Sequence, residues 1–361
     1  MYSLNEKALI FIDGILNLEY KHKRSIIDLY NEPCELFKNP QIALDYLKEN
    51  FKNSIANSFN IALNENFTQK LIDKYNGRNI VVVTEISNSY PNSLYNLPIR
   101  PICLYTIGNV KLLNSEKLFS IVGSRKTIPE YLKLTEEFSR SLSKSNVTIV
   151  TGVADGGDLS AIKGSYKSGN LILVLAGGLD FIDNEPNRNL IRETIDNNGL
   201  VITEYPPEIP PRAYHYPVRN RIIAGLSLGT LIVSGNNKSG ARHTASFALD
   251  YGKEVFAFPY NLSNNSGELC NNLIKDGAYL VTNINDICDI LGFESVNNAK
   301  LSLTDNELNV YLKIKEGIML FDDLLSVTNL KVFELMSILT TLEIKGIVVK
   351  ESSNEYKLLK K

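Results

Sequence analysis

Apolar positions along the chain change their spacing several times, and each change marks a boundary. From about residue 3 to 75 they recur at helical spacing, as in "SIIDLYNEPCELF" and "IALDYLKENFKNSIANSFNIALNENFTQKLIDKY", with breaks at Pro33 and Pro40. This predicts a small helical domain over residues 1–80. Pro91, Pro98 and Pro101 crowd the next segment, so residues 81–118 read as an extended connection. Over residues 119–292, short Val/Ile/Leu runs alternate with longer helical patterns. The strand candidates are 119–123, 147–152, 171–178, 200–204, 229–235, 254–259 and 278–282, with helices at about 130–144, 157–168, 187–197, 240–251 and 267–276. Continuous apolar strands are covered on both faces, and intervening helices make crossovers, so the prediction is an α/β fold with a doubly wound, mainly parallel sheet. After an Asn-rich junction at "GFESVNNAK", residues 301–361 read as three helices and two short strands, a winged-helix-like arrangement.

In such a sheet ligands bind beyond the carboxyl ends of the strands, where loops and helix N-termini share one crevice. The first predicted strand of that sheet ends in Gly123-Ser124-Arg125, the second in Thr151-Gly152, the third in Gly177-Gly178-Leu179-Asp180 and the fifth in Ser234-Gly235. Four glycine-rich turns on one edge point to a shared site rather than to four independent turns. A bare turn, a hydroxyl and the planar cation of Arg125 suit a phosphate or carboxylate. "YHYPVRNRIIAGLS" sets Arg219, Asn220 and Arg221 at the start of a helix, with Tyr216 just upstream. Cations that neutralise phosphates beside a ring that stacks on a base suit single-stranded nucleic acid. The structural alternative is that one of these arginines pairs with Glu204 or Asp180. Ser239 and Gly240 precede another helix whose first turn offers Arg242, His243 and Thr244, and its free N–H groups suit a phosphate. His243 has no nucleophile in a recognisable setting nearby and reads as surface or structural.

Composition narrows the choice. With 361 residues, 44% hydrophobic and 22% charged, the chain has room for two or three globular domains, and its net charge of −2 restricts phosphate binding to a local cationic cluster. Cys34, Cys103, Cys270 and Cys288 are scattered, without metal-ligand spacing, and no apolar stretch matches a membrane span or a signal peptide. These features predict a cytoplasmic protein without a metal site or bound cofactor. Neither Gly-x-Gly-x-x-Gly nor Gly-x-x-x-x-Gly-Lys-Ser/Thr follows a strand, which disfavours a dinucleotide enzyme and an ordinary nucleoside triphosphatase.

The elements "YPNSLYNL", "IVGSR", "TGVADGGDLSA", "LAGGLD", "ITEYPP", "YPVRNRIIAGLS", "SGARHTA" and "NNLIKDGA" resemble, in order and spacing, the DNA-processing protein A (DprA/Smf) family over residues 90–290. The resemblance implies a Rossmann-like core flanked by an N-terminal helical, SAM-like domain and a C-terminal winged helix. It implies sequence-independent binding of single-stranded DNA, loading of the RecA recombinase in natural transformation or recombination, a homodimer, and no catalytic activity. By position it puts Arg125, Arg219, Asn220, Arg221, Ser239 and Gly240 in the DNA pocket, and Tyr216 where the family usually has Phe. The chain departs from the family pattern at Asp155, Gly157 and Ile162, and Asp155 is expected to bring an anion near the phosphate groove. Two other readings stay open: a nucleotide-binding or phosphoribohydrolase-like enzyme, disfavoured because Pro-Gly-Gly-x-Gly-Thr is replaced by Ala176-Gly177-Gly178-Leu179-Asp180, and a protein adaptor with a weak DNA pocket. Residues 301–361 carry eight Lys, no Arg and nine acidic residues, which suits protein docking better than a DNA groove.

Overall fold

The computed structural model describes residues 2–358 apart from 17, 52, 65, 295–302, 345–346 and 353. The expected Asn-rich junction falls mainly on residues outside that set. Two compact units emerge, Met1–Val296 and Asn297–Lys361.

The first unit opens with helices α1 (Leu4–Asp13), α2 (Tyr20–Asp28), α3 (Glu35–Lys38), α4 (Pro40–Asn50), α5 (Asn53–Asn64) and α6 (Phe67–Asn76). A nine-stranded sheet follows, made of β1 (Val81–Thr84), β2 (Cys103–Gly108), β3 (Leu118–Val122), β4 (Thr148–Thr151), β5 (Leu171–Val174), β6 (Leu200–Thr203), β7 (Gly229–Ile232), β8 (Glu254–Ala257) and β9 (Tyr279–Leu280). Its order is β1-β2-β6-β5-β4-β3-β7-β8-β9. All neighbours from β6 to β9 in that order pair in parallel, whereas β1 and β2 join antiparallel. Helices α7 (Pro129–Lys144), α8 (Gly157–Ser165), α9 (Arg188–Asp196), α10 (His215–Leu226), α11 (Ala241–Asp250), α12 (Glu268–Lys275) and α13 (Asn285–Leu291) lie along the same stretch of chain. The doubly wound α/β sheet therefore stands, and each of the seven predicted strands has its counterpart among β3 to β9.

Two expectations change. Residues 81–118 are not merely a connection, because "VVVT" and "CLYTIG" add β1 and β2 to the sheet, and the three prolines fall outside both strands. The N-terminal helices, moreover, share one continuous apolar core with the sheet, joining Leu9, Phe11 and Phe59 to Val82, Leu104 and Tyr105. A buried polar cluster adds to that join. Lys23 Nζ of α2 donates to the Asp13 carbonyl (2.5 Å) and lies 3.1 Å from Asp13 Oδ1, and the Tyr105 hydroxyl of β2 donates to Asp13 Oδ2 at 2.7 Å. Arg24 grips Glu85, just past β1, with both Nη atoms at 2.7 and 2.9 Å.

The second unit holds α14 (Asp305–Lys315), α15 (Phe321–Thr328), α16 (Val332–Ile344) and an antiparallel pair, β10 (Val348–Ser352) and β11 (Glu355–Leu358), around its own core of Val310, Leu324, Leu335 and Tyr356. Among the described residues no single helix is long and apolar enough to cross a membrane.

The buried pair at Asp13 generates a stability prediction. Removing one partner of a buried ion pair leaves the other desolvated and uncompensated, so Lys23→Met should lower the unfolding free energy by about 3–5 kcal/mol. Urea denaturation checks this; a loss below about 1 kcal/mol would mean that Asp13 is satisfied by Tyr105 alone.

Candidate functional site

Strand order reverses at β3: β4, β5 and β6 lie to one side, β7, β8 and β9 to the other. At such a switch point the loops leaving the two central strands diverge and open a crevice at their carboxyl ends. The loop after β3 is tied to the loop after β7, since Ser124 N–H donates to both the hydroxyl (3.0 Å) and the carbonyl (3.1 Å) of Ser234. The Ser124 hydroxyl accepts from Lys126 N–H at 3.1 Å and its carbonyl accepts from Thr127 Oγ1 at 2.7 Å, so Ser124 builds the turn. Arg125 stands exposed at the tip, its guanidinium 6.0 Å from the centroid of the Tyr216 ring in cation–π contact.

The loop after β4 presses on that turn from below. Gly156 adopts φ +83°, which favours glycine, and a Cβ on Gly157 would come within 2.5 Å of Gly123 Cα. This close approach sets Asp158 under the turn, where its Oδ1 accepts Gly123 N–H at 3.2 Å. Any side chain at Gly152 would collide with the Asp158 carboxylate and the Arg219 guanidinium. Arg219 is 4% exposed; its Nη1 donates to the Val174 carbonyl at the end of β5 and its Nε to Asn220 Oδ1 at 3.1 Å. Burial pushes the Arg219 pKa down, opposed by the Asp158 and Glu185 charges. Burial likewise pushes the Asp158 carboxyl up to about 6, opposed first by Arg219 and then by the backbone N–H bonds.

Between these loops and the N-termini of α10 and α11 lies a cavity of about 440 Å³. Of the residues expected in the site, Gly123, Ser124, Arg125, Tyr216, Arg219, Asn220, Ser239, Gly240 and Thr244 line it. Asn220 Nδ2 donates to the Gly240 carbonyl at 3.3 Å and fixes the α11 loop to α10. Gly152 sits behind the lining, against Arg219. Thr244 is buried, and its hydroxyl has no hydrogen-bond partner among the described residues.

Two expected residues lie elsewhere. Arg221 points away from the cavity and forms a buried ion pair with Glu204 at 2.5 Å, because it is two positions from Arg219 on a helix and so faces another side of it. Arg242 is exposed beside the cavity, donating to the Asn237 carbonyl at 3.3 Å. Asp155 is not the anion of the groove either: it is exposed and accepts from Asn187 Nδ2 at 3.2 Å, while Ile162 is wholly buried in the core. The cavity's anion is Asp158. Sequence reasoning also passed over Lys126 and Lys238, which line the cavity; each adjoins a named motif, in "GSRK" and "KSG".

The site as a whole is cationic and aromatic: Arg125, Lys126, Arg219 and Lys238 against Asp158, with the Tyr216 ring between them. Comparison with known proteins identifies the family. The sequence model of the family described as DNA recombination-mediator protein A matches residues 81–292, more than half of the chain. The chain belongs to that family. Protein Smf of Synechocystis sp. is 34% identical over 227 residues, 62% of this chain and 57% of that protein, so the match spans little more than half of that relative's length. The X-ray structure of DNA processing protein A from Streptococcus pneumoniae superposes with a TM-score of 0.66 at 26% identity, covering 80% of this chain and 98% of that one. A Helicobacter pylori DNA processing protein A, described in its single-stranded DNA binding mode, gives a TM-score of 0.53 at 29% identity over 59% of this chain and 95% of that one.

The raised pKa of Asp158 sets a pH dependence. The protonated form stabilises the fold fully below the unfolded value of about 4, and that contribution is lost as pH rises through about 6. Between pH 4 and 7, wild type should therefore lose about 2–3 kcal/mol relative to Asp158→Asn in urea unfolding. A relative gain by wild type over that range would mean that Arg219 and the backbone hold the carboxylate charged.

Proposed function

We propose that this protein binds single-stranded DNA with little regard to sequence and acts as a recombination mediator, as a homodimer that passes the strand to a RecA-type recombinase in DNA uptake or recombination. The observation that carries the binding step is the cationic cavity at the strand-order reversal, with Arg125 over Tyr216 at its rim. Arg125, Lys126 and Lys238 supply phosphate contacts and the Tyr216 ring supplies a surface for any base; the N–H groups expected to be free at the start of α11 are instead taken within the turn, Ala241 by the Ser239 hydroxyl, Arg242 by the Ser239 carbonyl and His243 by the Gly240 carbonyl. The Asn220 amide is held by Gly240 and Arg219 and the Ser124 hydroxyl accepts from Lys126 N–H, while the Thr244 hydroxyl is a buried polar group in the lining without a partner among the described residues. Sequence tolerance follows from contacts made mainly to phosphates and to the face of a base, which carry no sequence information. The relationship to the Helicobacter pylori protein supports the same ligand. In the second unit, which we interpret as a winged-helix-like module, α16 exposes Phe333 (83%) and Met336 (56%), in keeping with protein docking rather than DNA contact.

About three phosphates held by the cavity imply a slope of log affinity against log salt near −2 for single strands. Arg125→Ala should weaken binding to all sequences alike and make that slope shallower by about 0.7. Tyr216→Ala should cost about 1–3 kcal/mol while Tyr216→Phe costs little. Arg221→Met should change thermal stability and leave DNA affinity close to wild type. Fluorescence anisotropy with labelled homopolymers between about 50 and 200 mM salt measures the affinities of wild type and the four variants; salt-insensitive binding, or an Arg125→Ala effect confined to one base, would contradict the assignment.

A further inference from the structure

A second cavity, of about 550 Å³, lies on the other flank of the α10 N-terminus, between that turn, the segment after β6 and helix α2. Its chemistry differs from that of the first. Tyr205 and His215 stack with ring centroids 4.0 Å apart and planes 17° apart, and Tyr214 meets His215 edge-on at 4.5 Å. Tyr214 is 60% exposed, its hydroxyl accepting from Arg212 Nη1 at 2.9 Å, and Tyr20 of α2 lies across the cavity. His215 is held by the Ala176 carbonyl at 3.0 Å, and burial pushes its pKa down, so its ring is an uncharged stacking surface at neutral pH. The polar lining includes three carboxylates, Asp13, Glu19 and Glu204, and two cations, Lys23 and Arg212, of which Asp13 pairs with Lys23 and Glu204 with Arg221. An aromatic cavity whose interior cation, Lys23, is already paired offers a phosphate only Arg212 at its mouth but accepts a base, whose face stacks and whose amino groups donate to carboxylate oxygens.

Tyr214 and Tyr216 are two residues apart at the start of α10, so they project to different sides of the helix. A helix is about 10 Å across, a distance that a short stretch of extended single strand crosses. We propose that the cavity beside Tyr214 is a second subsite for the same strand and receives one nucleobase, while the phosphates stay on the cationic cavity and its rim. Arg212, exposed at the mouth, faces the backbone as the strand crosses α10. This inference rests on the single-strand reading of the first cavity and adds a base-holding pocket to it.

The test uses the full-length protein and deoxythymidine oligomers carrying a single 2-aminopurine, moved one position at a time. Stacking quenches 2-aminopurine. In wild type two separate positions should be quenched, one relieved by Tyr216→Ala and the other by Tyr214→Ala. Tyr214→Ala should weaken affinity about 5- to 100-fold, and Tyr214→Phe should restore it. Tyr214 is largely exposed, so melting temperatures should coincide for the three proteins. If Tyr214→Ala relieves no position, or the one that responds to Tyr216→Ala, the second subsite is wrong while the first stands. If free deoxyadenosine monophosphate binds there as tightly as the oligomer, the cavity is a mononucleotide site and the strand assignment is overturned. If wild type binds no oligomer at all, the proposed function itself fails.

Discussion

The reversal of strand order at β3 is the constraint on which the rest of the site depends. Parallel strands buried on both faces leave their loops and helix N-termini as the accessible chemistry, and at this reversal the chain leaving β3 and the chain leaving β7, tied to each other at Ser124 and Ser234, run on to different helices, α7 and α11. The chain then draws the β4 loop in beneath them, which is possible only because Gly123 and Gly157 lack side chains at their contact. Asp158 and Arg219 are buried under the turn as a consequence, and the exposed cations are left on top. Arg219 spends its hydrogen bonds on Val174 and Asn220 and so works as the strut of the cavity, whereas Arg125 has an aromatic ring beside it and solvent above it.

Much of this was legible in the residues. Uninterrupted Val/Ile/Leu runs gave away the seven parallel strands, and the glycine turns at their ends pointed to the carboxyl edge of the sheet. What sequence could not decide was direction around a helix whose outer face is not solvent. In "VRNR" the two arginines look alike, yet α10 is buried on nearly every side, so one lines the cavity and the other pairs with Glu204. Asp155 and Asp158 posed the same difficulty: they stand three residues apart in one glycine-rich stretch, the first in the loop and the second in the first turn of α8, and the tertiary approach of Gly123 and Gly157 buries the second and leaves the first to Asn187. The two antiparallel strands were hidden because three prolines dominate the segment that contains them. Strand residues alternate with turn signals there, so local propensity favoured the turn.

The N-terminal helices bear on the site through the Asp13, Lys23 and Tyr105 cluster, which fixes α1 and α2 against β2. Asp13 and Lys23 also line the cavity beside Tyr214. The attraction within a buried ion pair is offset by the cost of desolvating both charges. Here the pair holds one wall of an aromatic cavity at the edge of the sheet, so the helical segment and the α/β core jointly shape the surface flanking α10.

The central claim is that DNA lies at the carboxyl edge of the sheet, on α10 and the β3 turn. Photocrosslinking tests it most directly, with single strands carrying 5-iodo-deoxyuridine, irradiated in complex with the whole protein and mapped by mass spectrometry. The account predicts adducts on Tyr216, reduced when Arg125 is replaced by alanine. Adducts concentrated between residues 305 and 358, with none on α10, would contradict it.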